Sequence, residues 1–154
     1  MMISNDEYWM KLALEQAKLA KIEDEIPIGS VLVKNEELIL ADHNRTRQLH
    51  DPLAHAEKLI IDKILSSKIK FLSEFKLFVT IEPCLMCAGM MIWARIGVLV
   101  FGAYDLKSGA VGSVYNILQD SRFNHQPSVV SGCLANEAEE LIKQFFREKR
   151  KANV

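Results

Sequence analysis

Two short motifs in the sequence carry side chains that can bind a metal ion. One is His55-Ala56-Glu57 and the other is Pro83-Cys84-Leu85-Met86-Cys87, and each lies where a helix is predicted to begin. Cysteines three residues apart on a helix project their sulfurs from the same face, so both can reach one ion. Two thiolates and one imidazole form a ligand set that suits zinc. We therefore expect His55, Cys84 and Cys87 to bind zinc.

The number of ligands favours a catalytic metal over a structural one. A structural zinc site has four protein ligands, whereas the remaining cysteine, Cys133, lies far away in the sequence, so a fourth position is left for water. Zinc lowers the pKa of bound water from 15.7 to about 7, which supplies hydroxide near neutral pH. Glu57 lies two residues from His55, on a different side of the helix, so we expect it to shuttle protons instead of binding the metal.

These groups together fit hydrolytic deamination. Hydroxide attacks the carbon that bears an amine, a ring nitrogen is protonated, and ammonia leaves; His-x-Glu combined with Pro-Cys-x-x-Cys is the known signature of zinc nucleobase deaminases. Taken alone, each part has a simpler interpretation. The cysteine pair could be a redox motif or half of a structural zinc site, His55 a satisfied buried histidine, and Glu57 an acid that complements the helix dipole. Chance seldom supplies all of them in this order, which favours catalysis.

Hydrophobic periodicity predicts the elements that position these motifs. Helices are expected from Ser4, in a capping box with Glu7, to about Lys21, and over 54–65, 84–95 and 134–151. Strands are expected over 26–33, 38–42, 76–81, 98–101 and 128–130, with Gly29 marking a close backbone approach. The strand over 76–81, the next helix and the strand over 98–101 form a βαβ unit, which puts the cysteines at a carboxyl strand end, where ligands collect. His55 is expected in the first turn of its helix, and the segment 104–113 is expected to be a functional loop.

Composition limits the class of protein. The 154 residues, 49% of them hydrophobic, predict a single domain over 1–154. Nineteen basic and twenty acidic residues give a net charge of −1, which excludes a surface coated in positive charge for nonspecific nucleic-acid binding. The amino terminus carries no targeting segment and no apolar window reaches membrane length, so we expect a cytoplasmic protein with no membrane contact. Three cysteines fit a reducing compartment, with Cys133 as a small core residue.

A basic cluster near the carboxyl terminus offers a local RNA contact. It lies beside Phe145 and Phe146 and comprises Lys143, Arg147, Lys149, Arg150 and Lys151. Aromatic rings beside cations suit the unstacked bases of an RNA loop. An ordinary alternative is equally open, because cations stabilise the carboxyl end of a helix and the two phenylalanines could be core residues.

Over nearly its whole length the sequence resembles the bacterial tRNA adenosine deaminase family, which converts the wobble adenosine of a tRNA anticodon to inosine. The zinc motif is shared with cytidine, cytosine, guanine and deoxycytidylate deaminases, whereas the segments specific to this family are 101–110, 112–113, 124–125 and 145–147. The resemblance implies a cytidine-deaminase-like α/β fold of three layers, α/β/α, in which helices flank a central mixed sheet of five strands. It also implies one zinc ion per subunit and a homodimer whose two subunits both contact the tRNA anticodon stem-loop, with no DNA expected as a partner.

The resemblance further assigns roles by position, with His55, Cys84 and Cys87 as zinc ligands and Glu57 as the catalytic proton shuttle. Asn44 would hydrogen-bond the flipped adenosine, and Ile28 and Ala54 would line the base pocket. Asp105 and Lys107 would hold the flanking nucleotides, and Phe145 and Arg150 would meet the loop. Two positions depart from the family pattern: Trp93 stands where a smaller or more polar residue is expected, and Tyr104 replaces what is often a charged residue.

Two other functions would use the same motifs. A deaminase of a free base or nucleoside, of the guanine or cytosine type, shares the metal chemistry. A structural-zinc RNA-binding module would bind without turnover and would have four protein ligands on the metal. Glu57 argues against that module, because binding alone has no use for a proton shuttle.

Overall fold

The computed structural model describes residues 5–153, which build one mixed sheet between two layers of helices. The helices are α1 Asn5–Ile22, α2 Ala56–Ser66, α3 Leu85–Trp93 and α4 Ala135–Ala152. The strands are β1 Gly29–Lys34, β2 Glu37–His43, β3 Lys76–Ile81, β4 Val98–Ala103 and β5 Ser128–Val130. Within the described range, no helix combines the length and the apolar composition that crossing a membrane requires. The predicted α/β/α fold with five strands is confirmed.

The strand order places the carboxyl ends of the parallel strands at one edge. The order is β2-β1-β3-β4-β5, with β1 antiparallel to both β2 and β3, and with β3, β4 and β5 mutually parallel. The predicted β3–α3–β4 unit is therefore present, and the chain enters α3 directly from the carboxyl end of β3. Crossover connections of this kind are what allow neighbouring strands to run parallel.

Both faces of the sheet are buried, each against one pair of helices. Leu77 and Val79 of β3 belong to the apolar cluster under α2 and α3, whereas Phe78 between them belongs to the cluster under α1. Successive side chains of a strand point to opposite faces, so a strand covered on both sides is mostly apolar on both faces, and a buried polar residue such as Thr80 needs a partner, here the Gly29 amide that donates to its hydroxyl. This explains why the β3 and β4 sequences are mostly apolar and do not alternate with polar residues.

Several predicted boundaries were wrong near the metal motifs. The helices α2 and α3 begin at Ala56 and Leu85, so His55 and Cys84 are their N-cap residues and His55 does not lie in a helical turn. Both N-caps have extended backbone, with ψ of 151° at His55 and 175° at Cys84, and Cys84 forms an isolated bridge with Gly109. This tertiary pairing keeps Cys84 out of the helix that local periodicity predicts.

Other boundaries differ by smaller amounts. β1 begins at Gly29, three residues after the predicted start, β2 extends to His43, and the segment predicted as irregular over 116–126 contains a 3-10 turn, Ile117–Gln119. The capping box at Ser4 lies outside the described residues.

Gly29 is the point at which β1 passes closest to α1. A Cβ atom at this position would overlap the Ala13 carbonyl oxygen and the Ala17 amide nitrogen, both of which are helix backbone and unable to move aside. The predicted close approach is confirmed, and it sets the distance between α1 and the sheet.

We expect Gly29→Ala to destabilise the protein by about 3 kcal/mol, because overpacking against fixed backbone forces the helix away from the sheet. Ser66→Ala, an equally small change at an exposed helix end, should alter stability by less than about 0.5 kcal/mol. Urea unfolding followed by circular dichroism measures both. Equal stability of the two variants would contradict this account of the α1–sheet contact.

Candidate active site

Two helix starts bring the predicted metal ligands together. His55 is the N-cap residue of α2, Cys84 is the N-cap residue of α3, and Cys87 lies in the first turn of α3. The amino end of a helix carries partial positive charge, which favours thiolate over thiol. The arrangement predicted from sequence, with both helix amino termini at one group of ligands, is therefore present.

The distances between the ligand atoms match a zinc site. The His55 Nδ1 atom lies 3.5 Å from the Cys84 sulfur and 3.7 Å from the Cys87 sulfur, and all three atoms lie within 4.8 Å of one another. Tetrahedral zinc with ordinary bond lengths holds its nitrogen and sulfur ligands about 3.5 Å apart and two sulfurs about 3.8 Å apart. The donor set and its spacing fit zinc, and His55, Cys84 and Cys87 are arranged to bind it.

Mutual hydrogen bonding tunes the two thiols in opposite directions. The bond from the Cys87 thiol lowers the pKa of Cys84 to about 4, against the effect of burial, and His55 adds to the lowering. The same bond, together with burial, raises the pKa of Cys87. The hydrogen bond with Cys84 raises the pKa of His55. One thiolate is thus already favoured by the protein alone, and a bound cation favours the second.

Glu57 lies beside the ligands without joining them. Its side chain is 4% exposed and is hydrogen-bonded to Cys87, yet the three-residue metal group does not include it. Burial raises the pKa of its carboxyl group above the ordinary value. A carboxyl group with a raised pKa can accept a proton and return it near neutral pH, which is the property that a general acid–base residue needs.

A cavity of about 490 Å³ opens onto these groups. Its wall includes His55, Glu57 and Cys84 at the metal end, and it lies within the size range of small-molecule sites. Of the residues that the resemblance assigns to the substrate, Ile28, Asn44 and Asp105 line this cavity.

The other assigned residues do not line the cavity. Ala54 is buried, and its carbonyl oxygen accepts a hydrogen bond from the Arg45 amide, 3.0 Å away. Lys107 is exposed, and its amide donates to the Asp105 carboxylate. Phe145 and Arg150 lie on α4, which packs against α1, β3 and β4, with the Phe145 side chain buried and Arg150 exposed.

Three side chains noted at the sequence level have local packing roles. Phe145 is a core residue, as the ordinary alternative predicts, whereas Phe146 is exposed. Cys133, which was predicted to be a small core residue, is half-buried and lies at the edge of the cluster under α1. The Tyr104 hydroxyl donates to the Ser131 hydroxyl oxygen, 3.0 Å away.

Sequence reasoning assigned no role to Glu82. Its carboxylate is 3% exposed and accepts hydrogen bonds from the backbone amides of Asp105, Val111 and Ser113 and from the Ser113 hydroxyl. The sequence did carry a sign of this role, because Glu82 is a charged residue directly after the mostly apolar strand β3, and a charge that is buried there must find hydrogen-bonding partners.

A second buried carboxylate, Glu25, was also missed. It accepts from the backbone amides of Arg47 and Gln48 and so holds the loop that follows Asn44.

Comparisons with known proteins agree with this site. The family model for the cytidine and deoxycytidylate deaminase zinc-binding region matches residues 3–103. The tRNA-specific adenosine deaminase of Bacillus subtilis (strain 168) is 45% identical, over 97% of this chain and 93% of that protein. That of Aquifex aeolicus (strain VF5) is 41% identical, over 94% of this chain and 95% of that protein.

Solved structures are similar as well. One from a study of A-to-I editing by tRNA:A34 deaminases at the wobble position of transfer RNA superposes with a TM-score of 0.82 and 41% identity, over 87% of this chain and 98% of that one. A guanine deaminase from Nitrosomonas europaea has a TM-score of 0.79 at 22% identity, over 94% of this chain and 86% of that one, and so shares the fold.

We expect Cys84→Ala and Cys87→Ala to weaken zinc binding by more than about 100-fold, because losing a direct ligand should exceed the 10–100-fold cost typical of an outer-shell change. Cys133→Ala provides the matched control, since this cysteine lies outside the metal group. Elemental analysis after dialysis measures zinc per chain. Zinc lost from the Cys133 variant and kept by the other two would place the ion elsewhere.

Proposed function

The chain belongs to the tRNA-specific adenosine deaminase family, and we propose that it deaminates the wobble adenosine of a tRNA anticodon to inosine and ammonia as follows. The observation that carries the proposal is the meeting of three metal ligands and a buried carboxyl group at one end of a cavity large enough for a nucleoside. His55, Cys84 and Cys87 hold the zinc ion, one per subunit.

We assign the proton transfers to Glu57. Zinc held by these three residues would supply Lewis-acid activation of a water molecule that attacks the C6 carbon of adenine. Glu57 takes a proton from that water and passes it to a ring nitrogen; it then takes the proton of the hydroxyl group added at C6, which becomes a carbonyl, and delivers it to the amine, so that ammonia leaves. Its buried position beside Cys87 excludes bulk water, and the raised pKa that burial causes suits a group that must both take and give a proton.

The flipped base is held by the wall opposite the metal. The Asn44 amide is anchored by its own oxygen, which accepts from the Thr46 amide at 3.4 Å, and by its nitrogen, which lies 3.5 Å from the Ile26 carbonyl oxygen. An anchored amide can hydrogen-bond a base at low entropic cost. Ile28 gives the base an apolar surface. Ala54 holds the segment that carries Asn44, because its carbonyl oxygen accepts a hydrogen bond from the Arg45 amide.

Flanking nucleotides are held beside the cavity mouth and by the end of α4. One oxygen of Asp105 accepts from the amides of Lys107 and Ser108, which fixes the carboxylate at the cavity wall, and the exposed Lys107 lies next to it. On α4, Lys143, Arg147 and Lys149 pair with acidic residues. Arg150 forms no ion pair with any residue in the range 5–153, so its guanidinium group is available to bind an RNA phosphate. The buried side chain of Phe145 holds α4, the helix that carries Arg150, against the rest of the protein.

We also propose that the enzyme is a homodimer formed through α3. Trp93 is 85% exposed at the end of this helix, and a groove of about 430 Å³ runs beside it, with Leu85 and Phe123 among its walls. Large apolar side chains grouped on a surface mark an interaction site. A second copy of the chain is the occupant that fits the family resemblance, with both subunits then contacting the RNA.

Two broader assignments complete the proposal. The 154 residues act as a single deaminase domain, supported by the one sheet that all described strands share. The enzyme works in the cytoplasm, supported by the free state of all three cysteines.

Incubation with an anticodon stem-loop tests the function directly. Zinc-loaded protein should convert the wobble adenosine of an RNA stem-loop to inosine, detected by mass spectrometry of the digested nucleosides. The matching DNA stem-loop should give no product. Ammonia from guanine or cytosine without inosine would identify a free-base deaminase, and RNA binding without inosine would identify a binding module.

We expect Glu57→Gln to lower kcat by at least about 100-fold while zinc content stays at the wild-type level, because the amide keeps the shape of the side chain but cannot carry a proton. Steady-state inosine formation and elemental analysis of the same sample measure the two effects. A variant that keeps wild-type turnover would remove Glu57 from its assigned role.

We expect Trp93→Lys to convert the dimer to a monomer, because a lysine in an apolar interface must lose its hydration without a partner. Ile22→Lys is the matched control, since Ile22 is 80% exposed at the end of α1, away from α3. Sedimentation analysis measures both states. A wild-type monomer, or a dimer that survives Trp93→Lys, would exclude this interface.

A further inference from the structure

The loop over residues 104–113, here called the 104–113 loop, is hydrogen-bonded to one buried carboxylate, that of Glu82. Glu82 follows the last residue of β3. Its two carboxylate oxygens accept hydrogen bonds from the Asp105, Val111 and Ser113 amides, at 3.0, 2.9 and 3.0 Å, and from the Ser113 hydroxyl. Both ends of the loop are therefore attached to a single side chain. Charge-assisted hydrogen bonds of this kind are among the stronger ones in proteins.

The same carboxylate fills the space beneath the middle of the loop. A Cβ atom at Gly109 would overlap all three atoms of the Glu82 carboxyl group. The backbone of Gly109 has no positive φ, so the need for glycine there is steric and comes from Glu82. The loop backbone and the Glu82 carboxylate therefore pack closely, and this packing leaves no room for a side chain at position 109.

The loop is joined in turn to the metal-binding segment. The Ala110 amide donates to the Pro83 carbonyl oxygen at 2.9 Å, and Gly109 forms a bridge with Cys84. At its other end the loop presents Asp105 to the cavity, whose wall Glu82 also joins. Glu82 is placed to set the distance between the metal end of the cavity and the residue proposed to hold a flanking nucleotide.

We propose that Glu82 is a positioning residue for RNA recognition: by gathering four donors of the 104–113 loop, it holds Asp105 in register with the metal-binding helix start. The proposal rests on the deaminase function above. In this role Glu82 acts through the loop and not on the metal ligands or the reacting atoms, so its loss should weaken the binding of the stem-loop more than the chemical step.

Steady-state kinetics of zinc-loaded Glu82→Gln on the anticodon stem-loop provide the main test. An amide places an NH₂ group against amide donors, so the loop should loosen, with KM rising at least about tenfold and kcat falling less than about threefold. Ser113→Ala removes one donor of the four and should raise KM by about threefold. A rise in KM of less than about twofold for Glu82→Gln, or a loss confined to kcat, would overturn the proposal.

Two further variants separate positioning from general destabilisation. Val33→Ala removes core volume in the cluster that contains Trp9 and Phe78, and it should lower thermal stability without changing KM. Gly109→Ala leaves every hydrogen-bonding group in place but displaces the Glu82 carboxylate, and it should raise KM as Glu82→Gln does. The double variant Glu82→Gln/Gly109→Ala should have a KM no higher than the higher of the two single variants, because both changes act on one contact. Equal KM values for Val33→Ala and Glu82→Gln would overturn the proposal.

Hydrogen exchange supplies a readout independent of turnover. In Glu82→Gln the amides of Asp105, Val111 and Ser113 should exchange at least about tenfold faster, while the amides of β3 and β4 keep wild-type protection. Unchanged exchange at these three positions would overturn the inference even where activity falls. Failure of the function itself is distinct, since the wild-type enzyme would then form no inosine.

Discussion

The site depends on one geometric constraint: ligand atoms from two separate helix starts must meet within 4.8 Å. A residue inside a helix points its side chain along a direction fixed by the helix, whereas an N-cap residue has extended backbone and can aim its side chain across the helix end. His55 and Cys84 are both such residues, and only Cys87 is helical. The parallel pairing of β3 with β4 then fixes where α3 begins, and the contact between α2 and α3 fixes His55 against it.

Burial around this group determines what the carboxyl group can do. Cys87 belongs to the apolar cluster beneath α2 and α3, Cys84 and Met86 pack against that cluster, and Glu57 is itself 4% exposed, so Glu57 stands where water is scarce. An ionised carboxylate is costly in such a place, and the raised pKa of Glu57 is the direct result. Glu82 and Glu25 are as deeply buried, yet each is surrounded by backbone donors. The difference in partners separates the carboxyl group suited to proton transfer from the two that hold loops.

Periodicity and motif spacing were sufficient for the β3–α3–β4 unit and the metal ligands, because these follow from local patterns and from a short βαβ connection, whereas the three layers and the five-stranded sheet were expected from the family resemblance. The start of α3 was mispredicted because Cys84 pairs with Gly109, 25 residues further along the chain, and no local pattern carries that bridge. Glu82 was missed for the same reason, since its partners lie at 105, 111 and 113. The sequence did not decide whether Phe145 is a core residue or contacts RNA, because an aromatic residue fits both patterns. Only the packing of α4 on the sheet distinguishes the two roles.

Substrate choice must come from what is attached to this scaffold, because the fold itself is shared with a guanine deaminase at a TM-score of 0.79 and 22% identity. In the roles proposed for them, the metal ligands and Glu57 would act on an amine of any suitable ring, so they would not select RNA. Besides the end of α4, the groups proposed to select RNA lie on two loops around the cavity, each held by a buried carboxylate: Glu25 holds the segment after Asn44, and Glu82 holds the segment that carries Asp105. A loop attached in this way keeps its shape before the substrate arrives, so less entropy is lost on binding. Under the proposed function, specificity therefore depends on buried carboxylates that act through the loops they hold.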